Sequence, residues 1–264
     1  MKVSSATEYI RTLLQQGRYT FTKIEADAVL GGARCAQEAL LRQQQRGWVF
    51  SPSRGLYVII DPPHQLLGAL PIEWFIEEWA SFLGFRYYIG GLTAAQIHGA
   101  AHQKPQHIYV IADHRIPEYR HNTLHVIFLY KKLILPEAWE QRVSPAGYYR
   151  VSTPEMTAYD LLRYPTACPS LDLAATVYAE LGEHITPETL ATLVTSGGET
   201  AVLQRVGWLL DATGWGKLTA PLAQALASRR RTWRPLRTDR PTVGYPRDER
   251  WRLIINASLE LDES

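Results

Sequence analysis

Cysteine is nearly absent from the chain. Cys35 and Cys168 are the only two in 264 residues, so a disulfide framework is excluded and a four-cysteine zinc site is impossible. No apolar run approaches the roughly 18 residues that a membrane-spanning helix needs. The first residues, MKVSSATEYIRTLLQQG, hold no apolar stretch of about 7–15 residues ahead of a small-residue cleavage site. The expected compartment is the cytoplasm. Phosphate-loop and dinucleotide fingerprints are missing, and no Ser or Cys stands in a nucleophile-elbow context. The chain is therefore read as a non-enzyme, with no catalytic residue, cofactor or metal site assigned.

What is present is the balance of a folded protein: 46% hydrophobic residues, 20% charged, and eight Trp and 14 Tyr for a core. At roughly 100–200 residues per domain, the length allows one large domain or two ordinary ones. The net charge of +2 hides a pattern. Residues 1–60 hold eight Lys or Arg against four acids, residues 61–228 are acidic, and residues 229–252 hold nine Arg against three acids. Basic segments at either side of an acidic middle suggest a polyanionic partner; a solvated surface is the plainer alternative.

The first 60 residues predict one compact unit. A helix over 5–16 carries Tyr9, Ile10, Leu13 and Leu14 on one face and stops at Gly17. Thr22-Lys23-Ile24-Glu25 is a capping box that opens a second helix. Gly31-Gly32 breaks that helix, and a third runs over 33–46. Two β-rich runs then flank Ser51-Pro52-Ser53-Arg54-Gly55 as a hairpin. Asp61-Pro62-Pro63-His64 is placed as the linker, giving a head of 1–60 and a body of 65–264. The body mixes strands (86–89, 107–112, 124–130, 148–151) with helices (71–82, 93–99, 154–163, 171–182, 187–195, 199–212, 219–231) and a last strand at 251–256. Thr153 and Thr186 are both expected as N-caps ahead of Pro at N1. The fold class is α+β: a winged helix-turn-helix followed by a mixed α/β domain, for which a degenerate nucleotidyltransferase-like core with a helical extension is one possible form.

Three helices and a wing form a DNA-reading architecture whose third helix enters the major groove. Arg34 and Gln37 are then the candidates to read base edges, and Arg42 and Arg46 to meet phosphate. Arg54 sits at the wing tip, and Thr22 and Lys23 are placed to hold phosphate at a helix N-terminus. Winged helices also serve as protein-interaction modules, and in that case these cations are solvated. Gly90-Gly91, between a strand and a helix, resembles the turn that nucleotidyltransferases use to approach a phosphate. Those enzymes also need paired acids on the following strand, and here only Asp113 is offered, so a phosphotransfer enzyme using Gly90, Gly91 and Asp113 stands as the alternative reading. His98 and His102 are four apart on one expected helix, but the metalloprotease signature fails at Gly99. Arg229, Arg230, Arg231 and Arg234, with Trp233 among them, suit nucleic acid or an acidic protein surface. They fit equally well a loop tied back to the domain's own acids.

Five stretches, taken in order, resemble the AbiEi antitoxins of bacterial toxin–antitoxin and abortive-infection systems. They are Arg54-Gly55-Leu56-Tyr57-Val58, the run Tyr88-Ile89-Gly90-Gly91-Leu92-Thr93 through Gly99, and Val151-Ser152-Thr153-Pro154-Glu155 through Leu162. The last two are Leu203-Gln204-Arg205-Val206-Gly207-Trp208-Leu209-Leu210 and Trp251-Arg252-Leu253-Ile254-Ile255-Asn256. The resemblance implies a winged helix that represses its own operon by binding inverted repeats in double-stranded promoter DNA. It also implies a body that counteracts a nucleotidyltransferase-like toxin, directly or functionally. Within this resemblance, Gly90, Gly91 and Arg229, Arg230, Arg231 and Arg234 are the candidate partner surface. Gln43-Gln44-Gln45 departs from the apolar residues that many winged helices carry there.

Overall fold

The computed structural model describes residues 5–101 and 105–259. It groups into two compact units. The first comprises Met1–Tyr88, Gln106–Ile134 and Gln141–Val151; the second comprises Ile89–Pro105, Leu135–Glu140 and Ser152–Ser264.

The first unit begins with α1 (Ala6–Gln15), β1 (Thr20–Thr22), α2 (Lys23–Val29), α3 (Ala33–Gln45), β2 (Val49–Ser53) and β3 (Leu56–Ile59). The three helices and the hairpin lie where the sequence places them. β1 is an addition: Thr20–Thr22 pairs antiparallel with β3 and gives a three-stranded sheet of order β1-β3-β2. Periodicity cannot reveal a strand of three residues. Ser5 caps α1 by accepting from the Glu8 N–H. The capping box at Thr22 is complete, with the Thr22 oxygen accepting from Glu25 N–H and the Glu25 carboxylate from Thr22 N–H. Gly31 and Gly32 break the chain between α2 and α3 at φ of 84° and 98°, a left-handed region that a side chain would strain. Tyr9, Ile10, Leu13, Phe21, Ala26, Ala36, Leu40, Val49 and Ile59 form the core. Gln43 joins them, buried, with its side-chain amide donating to Thr7 Oγ1 at 3.1 Å. That bond explains how an amide stands on the inward face of α3.

The same unit continues through a 3-10 turn at Pro62–His64, another at Ile72–Trp74, and α4 (Ile76–Leu83). The single helix expected over 71–82 is split because Phe75 adopts φ −141°. Next come β4 (Tyr87–Ile89), β5 (Ile108–Ala112), β6 (Tyr119–His121), β7 (Leu124–Tyr130), β8 (Trp139–Ser144) and β9 (Gly147–Ser152). They form a mixed sheet of order β6-β7-β5-β4-β9-β8, with β5 and β7 parallel and β6 and β7 antiparallel. The Asp61–His64 segment lies inside this unit. The hairpin strand β2 packs on α4, β6 and the residue just ahead of α4. Trp79 Nε1 donates to Ser53 Oγ at 2.8 Å, and the Tyr119 hydroxyl to Ser51 O at 3.3 Å. Phe50 meets Phe75 edge-on and stacks on His121 with ring centroids 4.7 Å apart.

The second unit contains α5 (Gly91–Ile97), α6 (Pro154–Arg163), α7 (Leu171–Leu181), α8 (Pro187–Thr195), α9 (Thr200–Ala212) and α10 (Ala220–Ala227). Three short strands, β10 (Arg234–Pro235), β11 (Arg247–Asp248) and β12 (Leu253–Ile254), pair in the order β10-β12-β11. Thr153 caps α6 as expected. Thr186 does not cap α8. Its N–H and hydroxyl donate instead to the buried Glu155 carboxylate at 2.7 and 2.8 Å, which ties the start of α8 to α6. The helix expected to reach 231 ends at Ala227, so Arg229, Arg230 and Arg231 stand outside it.

The arginine-rich segment is pinned to one face of α9. Buried Gln204 donates to the carbonyl oxygens of Thr232, Trp251 and Arg252, the shortest bond being 2.7 Å to Trp251. Gly207 leaves room for the Trp251 ring: a Cβ there would stand 2.2 Å from it. Asp211 accepts from Trp251 Nε1 at 2.7 Å and pairs with Arg250 at 3.0 Å. Asn256, fully buried, donates to the carbonyls of Arg237, Arg240 and Pro241.

Candidate nucleic-acid interface

The faces of α3 follow from its pitch of 3.6 residues per turn. Ala36, Leu40 and Gln43 point into the core. Arg34, Glu38, Leu41 and Gln45 lie on the opposite, outward stripe, with Gln37 at one edge of it, and all five are exposed. Arg34 is 93% exposed and pairs with Glu38 at 3.4 Å, an exposed i,i+4 contact of little energy. Arg42 and Arg46 take a different flank. With Cys35 and Ala39 they line a groove of about 710 Å³ against Ser5–Thr7 of α1 and the end of α2. The α3 and wing candidates therefore do not form one cluster. Arg34 and Gln37 face outward, Arg42 and Arg46 turn toward α1, and Arg54 occupies the hairpin tip between β2 and β3. Among the described residues, Arg42, Arg46 and Arg54 have no ion-pair partner.

Thr22 and Lys23 are engaged in the fold. Lys23 Nζ donates to both carboxylate oxygens of Asp27, at 2.9 and 2.7 Å, so its charge is largely met within the helix. The Thr22 hydroxyl also donates to Glu25 at 3.0 Å. Partial burial alone would raise the Glu25 carboxyl, but the Thr22 N–H and hydroxyl and the Arg18 guanidinium, 2.6 Å away, hold it below the usual carboxylate range. Arg18 is thus a structural cation. Its partner lies seven residues away across β1, a distance that a helix-period scan does not cover.

The remaining candidates separate in the same way. Asp113, at the end of β5, accepts from Arg86 N–H and Nε at 2.9 Å and contacts His114. Burial works against its ionised form, but these partners outweigh it and lower its pKa, so the lone acid is already neutralised by the fold. Gly90 is extended and Gly91 starts α5 at φ 57°. His98 is buried with Nε2 at 2.7 Å from the Ser152 carbonyl oxygen, and His102 lies outside the described residues. Among the described residues, no group of three or more His, Cys, Asp or Glu could hold a metal ion. No described helix is long and apolar enough to cross a membrane.

In the arginine-rich segment, Arg229 donates to the carbonyl oxygens of Val194 and Gly198, closing the end of α8. Arg231 donates to Arg250 O at 2.8 Å. The guanidinium groups of Arg247 and Arg252 each lie 5.1 Å from the Trp233 ring centroid. Arg230 and Arg234 are exposed, and their side chains have no acidic partner among the described residues.

Residues 88–212 match the model of a family described as the AbiEi antitoxin C-terminal domain. Among solved structures, the chain is similar to the RV2827C protein from Mycobacterium tuberculosis. The TM-score is 0.64 at 19% identity, over 94% of this chain and 90% of that one. At that identity the likeness concerns the fold alone. No curated protein matches the chain.

Proposed function

From the match of residues 88–212 to the AbiEi antitoxin C-terminal domain, we propose that the chain is an antitoxin of that family that represses its own operon and counteracts a nucleotidyltransferase-like toxin. The head, residues 1–60, binds promoter DNA. Arg34 and Gln37 read base edges, and Arg42, Arg46 and Arg54 hold phosphates. The observation that carries this half is the state of those arginines: exposed, on α3 and the wing tip, and not required by the fold. Thr22 and Lys23 contribute by fixing the start of α2. The body, residues 65–264, neutralises the toxin without chemistry of its own, and it works in the cytoplasm. The single acid after Gly90-Gly91 is bound by Arg86 and His114, which speaks against a phosphotransfer role.

One full-length variant separates the two activities. Replacing Arg34, Arg42, Arg46 and Arg54 together by Ala should abolish promoter binding in a gel shift. The same variant, co-expressed with the toxin, should still restore growth. Persistent toxicity with the soluble wild-type chain would refute the antitoxin half. Promoter binding that survives the fourfold change would refute the DNA half.

A further inference from the structure

A cleft of about 520 Å³ opens in the second unit between α6, α9 and the segment after β10. Val202 and Leu236, both buried, and Leu162 supply apolar lining. Three arginines and two acids also line it. Arg163 pairs with Glu199 at 2.7 Å and Arg237 with Asp239 at 2.6 Å, so both acids are answered. Arg205 is the cation left over. Its Nε and Nη2 donate to the carbonyl oxygens of Pro235 and Leu236 at 3.0–3.2 Å. Its Nη1 donates to no group among the described residues, and no described carboxylate lies within ion-pair distance. Burial and the neighbouring Arg234 both disfavour the Arg205 charge, with only Glu199 acting the other way.

A half-buried guanidinium without a counter-ion, beside apolar walls, is an electrostatic deficit that an anion would fill. The volume lies within the roughly 300–1,000 Å³ of small-molecule sites, where a few placed polar groups fix a ligand against apolar lining. We propose that this cleft binds a small organic anion with an apolar body, its carboxylate on the Nη1 edge of Arg205 and its chain along Val202 and Leu236. A ligand there joins α9 to the 235–239 segment and stabilises the folded chain by mass action.

Calorimetry on the full-length protein tests this with three probes of equal chain length: octanoate, octanol and octylamine. Octanoate should bind at a single site, with octanol and octylamine at least tenfold weaker. Arg205→Gln should weaken octanoate at least tenfold. Thr238→Trp, an exposed change at the rim, should block it while leaving Arg205 in place. If Arg205→Gln fails to fold, Thr238→Trp decides alone. Absence of saturable octanoate binding would overturn the proposal. So would octanol binding as tightly as octanoate, or octanoate affinity indifferent to Thr238→Trp.

Discussion

Two arginine-rich regions of this chain look alike in composition and differ in use. In the head, Arg42, Arg46 and Arg54 stand in solvent with no ion-pair partner among the described residues, and Arg34 has only a loose contact with Glu38. In the segment after α10, most arginines are built into the fold. Arg229 closes α8, Arg231 holds the Arg250 carbonyl, Arg250 pairs with Asp211, and Arg247 and Arg252 cover Trp233. A count of cations therefore does not locate a polyanion site. What distinguishes the regions is whether the donors are already satisfied.

The sharpest way to break this contrast is to remove what the second region is pinned to. Trp251 is fully buried against Gly207 and Asp211, so Trp251→Ala should lower folding stability by about 3–5 kcal/mol, read as a fall in denaturant midpoint. A loss within the range of a surface change would mean that the segment is not anchored there. Gly207→Ala places a methyl group against the indole and should cost about 1–3 kcal/mol by overpacking, measured in the same way. In the head the signs reverse. Arg34→Ala should leave the thermal midpoint unchanged but weaken specific promoter binding by about 1–3 kcal/mol; an equal loss on random DNA would make Arg34 a phosphate contact.

The smallest expected effect concerns the cap of α2. Thr22→Ala should cost about 1 kcal/mol of stability and leave DNA affinity per folded molecule unchanged. Glu25 adds a pH dependence. Its folded pKa lies below the unfolded value, so its contribution is present above the unfolded carboxylate pKa and fades as pH falls through the folded one. Stability of Glu25→Gln should accordingly converge on that of wild type in acid. A difference that persists well below the folded pKa would contradict the assignment.

Much of the head was legible because its signals are local: the Thr22–Glu25 box, the Gly31-Gly32 break and the period of α1 each sit within a few residues. Gln43 was legible as an anomaly but not as a solution, since its partner Thr7 is 36 positions away. The same reason hid the seating of the wing on Trp79, Tyr119 and His121, and the partners of Asp113 and Thr186. The stretch Leu203–Leu210 and the stretch Trp251–Asn256 resemble the family as separate motifs. The structure joins them, because Gln204, Gly207 and Asp211 are one face of a helix and Trp251 is what that face holds. The fate of Arg229 and Arg231 was unreadable for a related reason: their acceptors are backbone carbonyls, and any sequence supplies those.

In the proposed function, DNA affinity resides in the unsatisfied head arginines and not in the anchored ones. The most direct test is fluorescence anisotropy of labelled promoter DNA with full-length protein across a salt series. Wild type should weaken steeply with salt, and the slope should be shallower by about one for each of Arg42→Ala, Arg46→Ala and Arg54→Ala. Affinity that ignores salt, or slopes unchanged in all three variants, would contradict it.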